Sequence, residues 1–330
     1  MKPLKHLLSD TLVYGISSVI ARFINYLLVP FHTGLFNPDA YGVVGLVYAA
    51  IGLLQVLFTF GMESSYLRYG KDREQVAHLF STIQRALLAI GLLISLILLL
   101  FQTPLSGLLS LPANASGEGR IYLLMIGILL VDALAIVPFA ELRLSKRAYS
   151  FAWLKLGHVA INVGLNGYLI LVLDWGIEAI FMANFLASSA VLLGVFGLTR
   201  SLWRGSWSSD MLRKMVLFGW PFIPAGLAHV VNETLDRFFL KSLSSEQIYA
   251  IYGLEWSADH IVGVYNACYK LAVFMLLLVQ MYRMAWQPFF MRQSDEPNAP
   301  VIFGQAFRYF NVAAAAVFLG VGLFVESIVA

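Results

Sequence analysis

A single cysteine, Cys268, among 330 residues excludes an intramolecular disulfide and any cysteine-built zinc site. Charge is scarce as well. Only 12% of residues are Asp, Glu, Lys or Arg, against about 25% in a soluble domain. The signatures of bond chemistry are missing too. There is no phosphate-binding Gly-rich loop ending in Lys-Ser/Thr, so no built-in ATP use, and no HExxH or GxSxG pattern. The histidines (His6, His32, His78, His158, His229 and His260) are scattered and show no metal-ligand spacing. The formal charge of +3 is too small to suggest a nucleic-acid partner.

What is abundant is apolar surface. Hydrophobic residues make up 59% of the chain, and mean hydropathy is +0.77. Such a chain is an integral membrane protein. Apolar runs long enough to cross a bilayer, about 20 residues each, fall near 11–31, 41–62, 79–101, 121–140, 151–172, 176–198, 214–235, 262–283 and 304–327. The first run carries Arg22 and ends in no small-residue cleavage site, so it is expected to remain as a span rather than be removed as a signal peptide.

The basic residues orient these spans. With the N-terminus in the cytoplasm, Lys2, Lys5, Arg68, Lys71, Arg73, Arg143, Lys146, Arg147, Arg200, Arg204, Arg213, Lys214, Arg283 and Arg292 all fall on the inner side. The outer loops then hold only Arg120, Arg237 and Lys241. That asymmetry obeys the positive-inside rule at each turn. The outer loop 102–119 carries Pro104, Pro112, Asn114 and Gly117, all turn formers. Loop 199–213 is basic and bears Trp203 and Trp207. It reads either as an inner interfacial segment or as a plain connector.

Polar residues inside spans are costly and point to an interior or a hydrated cavity. Arg22 sits mid-span in the first run, Glu63 closes the second, and Asp132 lies in the fourth. The fifth carries Lys155, His158, Asn162 and Asn166 at intervals of three and four, which places them on one helix face. That stripe reads as a cavity wall or as an interhelical hydrogen-bond seam. The seventh holds Pro221, Pro224, His229, Asn232, Glu233 and Asp236, and the eighth Asn266 and Lys270. Proline removes a backbone donor and kinks a helix, so a bent seventh span is expected. Arg22 and Lys270 hold similar places in the two halves of the chain, and guanidinium in particular suits phosphate oxygens. The competing reading of Arg22 is a structural ion pair with Asp132. Glu63 and Arg68 at the inner end of the second span read either as a gate ion pair or, by preference, as ordinary positive-inside placement of Arg68. Asp132, Glu63 and Glu233 are candidate sites for a coupling ion, H+ or Na+; His229 is a weaker one. The stretch from Asp236 to Tyr265, with Tyr249, Tyr252 and Trp256 beside Glu246, Glu255 and Asp259, suggests an amphipathic helix at the outer interface.

The run LVYGISSVIARFINYLLVPFHTGLFNPDAYGVVGL…GMESSYLRY resembles the start of Wzx-type flippases, the polysaccharide-biosynthesis membrane proteins of the multidrug/oligosaccharidyl-lipid/polysaccharide (MOP) exporter superfamily. ETLDRFFL and VGVYNACYKLAVFMLLLVQMYRMAWQPFF resemble that family's later helices. The resemblance implies an all-α polytopic bundle of twelve or more spans in two six-helix lobes around a central cavity. About nine spans are counted here, so the chain is expected to be a C-terminally truncated member, with a first lobe over 1–205 and a partial second over 206–330. The substrate it implies is an oligosaccharide on polyprenyl pyrophosphate, as in O-antigen and lipopolysaccharide assembly at the bacterial inner membrane. Arg22, Lys155, Asn162, Asn166 and Lys270 are the expected substrate contacts, with no cofactor beyond a coupling ion. Expected partners are the lipid bilayer, the lipid-linked oligosaccharide and other polysaccharide assembly proteins. Two other functions stay open: a drug or cation antiporter of the same superfamily, and a membrane enzyme of polysaccharide assembly. Intramembrane Arg22, Lys155 and Lys270 weigh against the antiporter. The mostly short outer loops weigh against the enzyme.

Overall fold

A computed structural model of the chain describes residues 20, 24, 28–70, 74–109, 111, 118–272, 275–276, 278–279, 282 and 299–325. Among these residues every regular element is helical. After a helical segment at 28–35, here α1, come α2 (Pro38–Thr59), α3 (Met62–Tyr69), α4 (Val76–Leu100), α5 (Gln102–Leu108), α6 (Glu118–Leu144), α7 (Ala148–Leu171) and α8 (Glu178–Thr199). A 3-10 turn, Arg200–Arg204, leads to α9 (Ser209–Gly219), α10 (Phe222–Lys241), α11 (Ser245–Tyr252), α12 (Ala258–Tyr269) and α13 (Ala299–Leu323). Six described helices are long and apolar enough to cross a membrane, and seven if the bent pair α9–α10 counts as one. The expected span at 11–31 falls mostly outside the described residues. So does the second half of the one at 262–283.

Helix boundaries follow the local chemistry. Asn37 caps α2, its Oδ1 accepting from Ala40 N at 2.9 Å, and Pro38 takes the first-turn position where a missing N–H costs nothing. That helix stops because Phe60 and Gly61 both turn left-handed, with φ of 49° and 65°. Ser208 caps α9. Ser244 and Gln247 form a reciprocal capping box on α11, and Gly253 ends that helix in the left-handed region. A short helix does stand between Asp236 and Tyr265, as α11, with Tyr249, Ile251 and Tyr252 exposed. The bend expected in the seventh span is present too: the axes of its two parts differ by 41°, and the break falls at Trp220–Pro221.

The core lies between α2, α6 and α8, around Leu46, Val47, Ile121, Met125 and Phe181, all at most 1% exposed. A second cluster joins Met62, Tyr66, Phe80, Ile83 and Val137 to Met215 of α9. Lipid tails are as apolar as leucine, so close packing and hydrogen bonds rather than water exclusion hold such helices together. Tyr122 Oη donates to Leu98 O at 2.7 Å, and Gln84 Nε2 to Leu134 O at 3.1 Å. Large apolar side chains face outward instead, including Leu92, Leu93, Leu96 and Leu100 of α4. That face is the one a bilayer would solvate.

The basic linker is fastened down along α4. Ser81 Oγ donates to Leu202 O at 2.9 Å, Arg85 to Gly205 O at 3.2 Å, and Ser208 N to Thr82 Oγ1 at 3.1 Å. The first half of span seven is thus packed on α3 and α4, and Ser65 Oγ donates to Met215 O at 2.9 Å. Beyond the break, α10 and α12 lie against α2 instead.

Candidate functional site

The stripe on α7 faces inward between α2, α6 and α8. It lines two cavities, of about 560 and 240 Å³, that share His158. The larger contains Gln55, Glu63, Asp132, Arg143, Lys155 and Ser188. The smaller contains His32, Tyr41, Tyr48, Asn162, Asn166 and Asn184. Tyr41, Val44 and Tyr48 also border a third cavity, of about 190 Å³, reached by Arg237 and Asn266. Polar side chains therefore run in sequence along the inside of the bundle.

At one end Arg143 of α6 pairs with Glu63 of α3. Beside them Tyr66 Oη donates to Glu141 Oε2 at 2.7 Å, both groups buried. Further in, Lys155 Nζ lies 4.5 Å from the ring centre of Phe139. Asp132 lines the larger cavity together with Ser188 and Lys155. Ser188 Oγ is 3.2 Å from His158 Nε2. A carboxylate, a hydroxyl and an imidazole thus line the larger cavity, the last of them shared with the smaller. These groups can exchange protons with one another or with water, and they offer few oxygens to a bare cation.

The stripe continues as a hydrogen-bond string. Asn166 Nδ2 donates to the Asn162 carbonyl at 2.8 Å and to its Oδ1 at 3.1 Å. This fixes the amide so that Asn166 Oδ1 accepts from His32 Nε2, 2.9 Å away. Opposite, Asn184 Nδ2 donates to Tyr48 Oη at 3.2 Å. The asparagines both line a cavity and stitch helices together, so the two readings of the stripe describe one arrangement. Gln55 Oε1 and Arg143 Nε are buried with no hydrogen-bond partner among the described residues, and both belong to the wall of the larger cavity. They give that wall spare polar capacity.

Of the expected site residues, Lys155, Asn162, Asn166, Asp132 and Glu63 line these cavities. Arg22 lies outside the described residues, and with it the expected pairings to Asp132 and Lys270. Glu233 belongs to α10 and Lys270 to the turn Lys270–Ala272; both side chains lie outside the described residues. His229 is exposed on α10. Glu63 pairs with Arg143 rather than Arg68, whose guanidinium instead sits over the ring of Phe218 at 4.9 Å.

Arg237 is the residue the sequence placed elsewhere. It was expected in an outer loop, but α10 continues to Lys241 and carries it into the contact with α2 and α12. Only 9% exposed, it donates from Nε to Asn266 Oδ1 at 2.7 Å and meets Asp236 at 3.1 Å. The rings of Tyr269 and Tyr265 flank it at 4.6 and 5.7 Å. Tyr265 Oη in turn bonds the Asp236 carboxylate. The available signal was the adjacent acid and base in ETLDRFFL, at the end of an apolar run.

A family profile described as polysaccharide biosynthesis protein matches residues 7–294. The chain belongs to this family. No curated protein sequence matches it. Among solved structures, a multidrug resistance MATE family transporter of the MOP superfamily in its inward-facing conformation superposes with a TM-score of 0.67 at 16% identity. That match covers 92% of this chain and 69% of the other. A MOP superfamily transporter from Pyrococcus furiosus, described as having a binding pocket of reverse polarity, gives 0.56 at 16% identity over 89% and 73% of the two chains. A MATE structure in the straight conformation gives 0.62 at 17% identity over 98% and 72%. Identity at this level establishes the fold. This member of the polysaccharide biosynthesis family is a multi-pass helical membrane protein with the architecture of MOP-superfamily transporters.

Proposed function

We propose that the chain is a transporter that flips a lipid-linked oligosaccharide across the bacterial inner membrane, its N-terminus in the cytoplasm. The observation that carries the reading is the run of cavities inside the bundle, lined by Lys155, Arg143 and Arg237 together with amides, hydroxyls and the carboxylates Glu63 and Asp132. A polyprenyl pyrophosphate headgroup needs cations for its phosphates and hydrogen-bonding groups for its sugars, while its tail stays in lipid. Arginine suits the first task through its planar fork, and Asn162, Asn166, Asn184 and Tyr48 suit the second. Arg22 and Lys270 remain candidates for the same role from the opening helices of two lobes, 1–205 and 206–330. Alternating access would rock these lobes about the broken seventh span. The group Asp132, Ser188 and His158 is the proposed place where the coupling ion binds, with H+ favoured over Na+ because a carboxylate, a hydroxyl and an imidazole offer few oxygens for a bare cation. Glu63 and Glu233 are the other candidates.

One observation favours a second reading. Asp132 and Glu63 share the larger cavity with the cations, and carboxylates are what a drug or cation antiporter would use. Binding separates the two. In lipid nanodiscs, the purified chain is titrated with polyprenyl pyrophosphate carrying a short glycan, and separately with a cationic dye. The flippase reading expects glycolipid binding that weakens about tenfold or more in Arg237→Gln and Lys155→Gln. Dye binding lost in Asp132→Asn, with no response to glycolipid, would replace it with the antiporter.

A further inference from the structure

The Pro38 end of α2 meets the start of α12, and one ionisable pair crosses that junction. Asp39 accepts a hydrogen bond from Ser257 Oγ, and its Oδ2 lies 3.6 Å from His260 Nδ1. The indole of Trp256 covers the same imidazole, ring centres 4.4 Å apart. Just below, the two helices touch backbone to backbone. A Cβ at Gly42 would overlap the carbonyl of Asp259, and one at Gly263 the carbonyl of Pro38. Buried Tyr41, Val44, Ile261 and Val262 pack along the same contact, so the groups at the rim add a charge-dependent increment to a junction that close packing already holds.

An imidazole changes charge between about pH 5 and 8. The neutral ring offers Asp39 at most one hydrogen bond. The cation adds charge attraction to Asp39, and it gains from the indole face as well. The surrounding charges do not oppose it. On α10, Lys241 is held by both oxygens of Asp259, at 2.6 and 2.7 Å, and Arg237 is paired with Asp236. Those pairs cancel. Asp39 from α2 and the exposed Glu255 from the preceding loop remain, and both are negative.

We propose that His260 and Asp39 form a proton-operated latch on the α2–α12 junction, shut when His260 is protonated and loosened when it is neutral. Its use in transport rests on the alternating-access reading above, but the latch itself can be measured with no substrate present. On the acidic side of an energised membrane it holds the passage closed.

The test uses the Cys268→Ser background with spin labels at Leu35→Cys and Leu254→Cys, exposed positions in the segments that lead into α2 and α12. Pulsed EPR in nanodiscs then reads the closed-to-open ratio at about pH 5.5 and about pH 8. The ratio is expected to fall about three- to fivefold at the higher pH, the range for a partly exposed pair. His260→Gln and Asp39→Asn should each remove the dependence, and His260→Arg should stay closed at both pH values. A ratio that ignores pH in the parent, or still responds in His260→Gln, overturns the latch. A silent latch with glycolipid binding intact would leave the functional reading standing. A working latch with no glycolipid binding would do the reverse.

Discussion

Replacing Gly263 by alanine should open the α2–α12 junction without unfolding the protein. The added Cβ would overlap the carbonyl oxygen of Pro38, and backbone cannot swing aside as a flexible side chain does. Gly42 meets Asp259 in the same way, and Gly45 is pressed against the amide of Asn266. The helices must therefore separate along much of the contact. Overpacking of a tight site costs about 1–3 kcal/mol. Were the closed junction one of two states within a few kcal/mol of each other, that cost would shift their ratio about five- to 150-fold. Ala49 makes a good reporter: it is 3% exposed and borders the cavity between α2 and Arg237. In the Cys268→Ser background, a cysteine at position 49 should react slowly with a water-soluble maleimide. Adding Gly263→Ala should raise its labelling rate at least fivefold, with the melting temperature changed by only a few degrees. An unchanged rate in a folded protein would refute the reasoning, because the junction would then be static packing. A cooperative loss of structure would refute it as well, because the closed state would then be the only stable one.

Other expectations follow from single contacts. Tyr66→Phe removes a 2.7 Å hydrogen bond from the buried Glu141 carboxylate and should cost about 1.5–3 kcal/mol, read as a lower thermal midpoint in detergent. Gly61→Ala combines a left-handed backbone with contact on Gly219, so it should destabilise by at least about 1–2 kcal/mol, whereas Gly164→Ala, where a Cβ meets nothing, should be neutral or better. Ser188→Ala takes the hydroxyl that meets His158 in the cavity Asp132 also lines. Proton uptake driven by substrate in proteoliposomes should fall about tenfold, while glycolipid affinity changes less than twofold.

The sequence revealed those features that repeat over short distances. Apolar runs identified the second to seventh spans and the ninth, because a bilayer demands that pattern of every crossing segment. The face shared by Lys155, His158, Asn162 and Asn166 was readable because helical spacing alone fixes it. The kink at Pro221 and the short helix before Gly253 carried local signals of their own. What stayed hidden depends on partners far along the chain. Glu63 finds Arg143 across 80 residues, although Arg68 stood nearer in sequence. Arg237 looked like a loop residue because Thr234, Asp236 and Arg237 end the apolar run. It is buried because α12 returns alongside α10 and brings Asn266 and two tyrosines to it. Hydropathy cannot report that return. The meeting of Gly42 and Gly263 is invisible for the same reason, since nothing local to either glycine names its partner.

The central claim is that the polar passage through the bundle carries a glycolipid headgroup. The most direct measurement is surface glycan in a bacterium lacking its own O-antigen flippase, supplied with this chain, alone or with any coding sequence that continues it. The account predicts that glycan returns to the surface. It also predicts that Lys155→Gln and Arg237→Gln each reduce the glycan about tenfold or more at equal membrane abundance, while the lipid-facing Leu96→Ala does not. Full rescue by both cation variants, or rescue lost equally with Leu96→Ala, would contradict it.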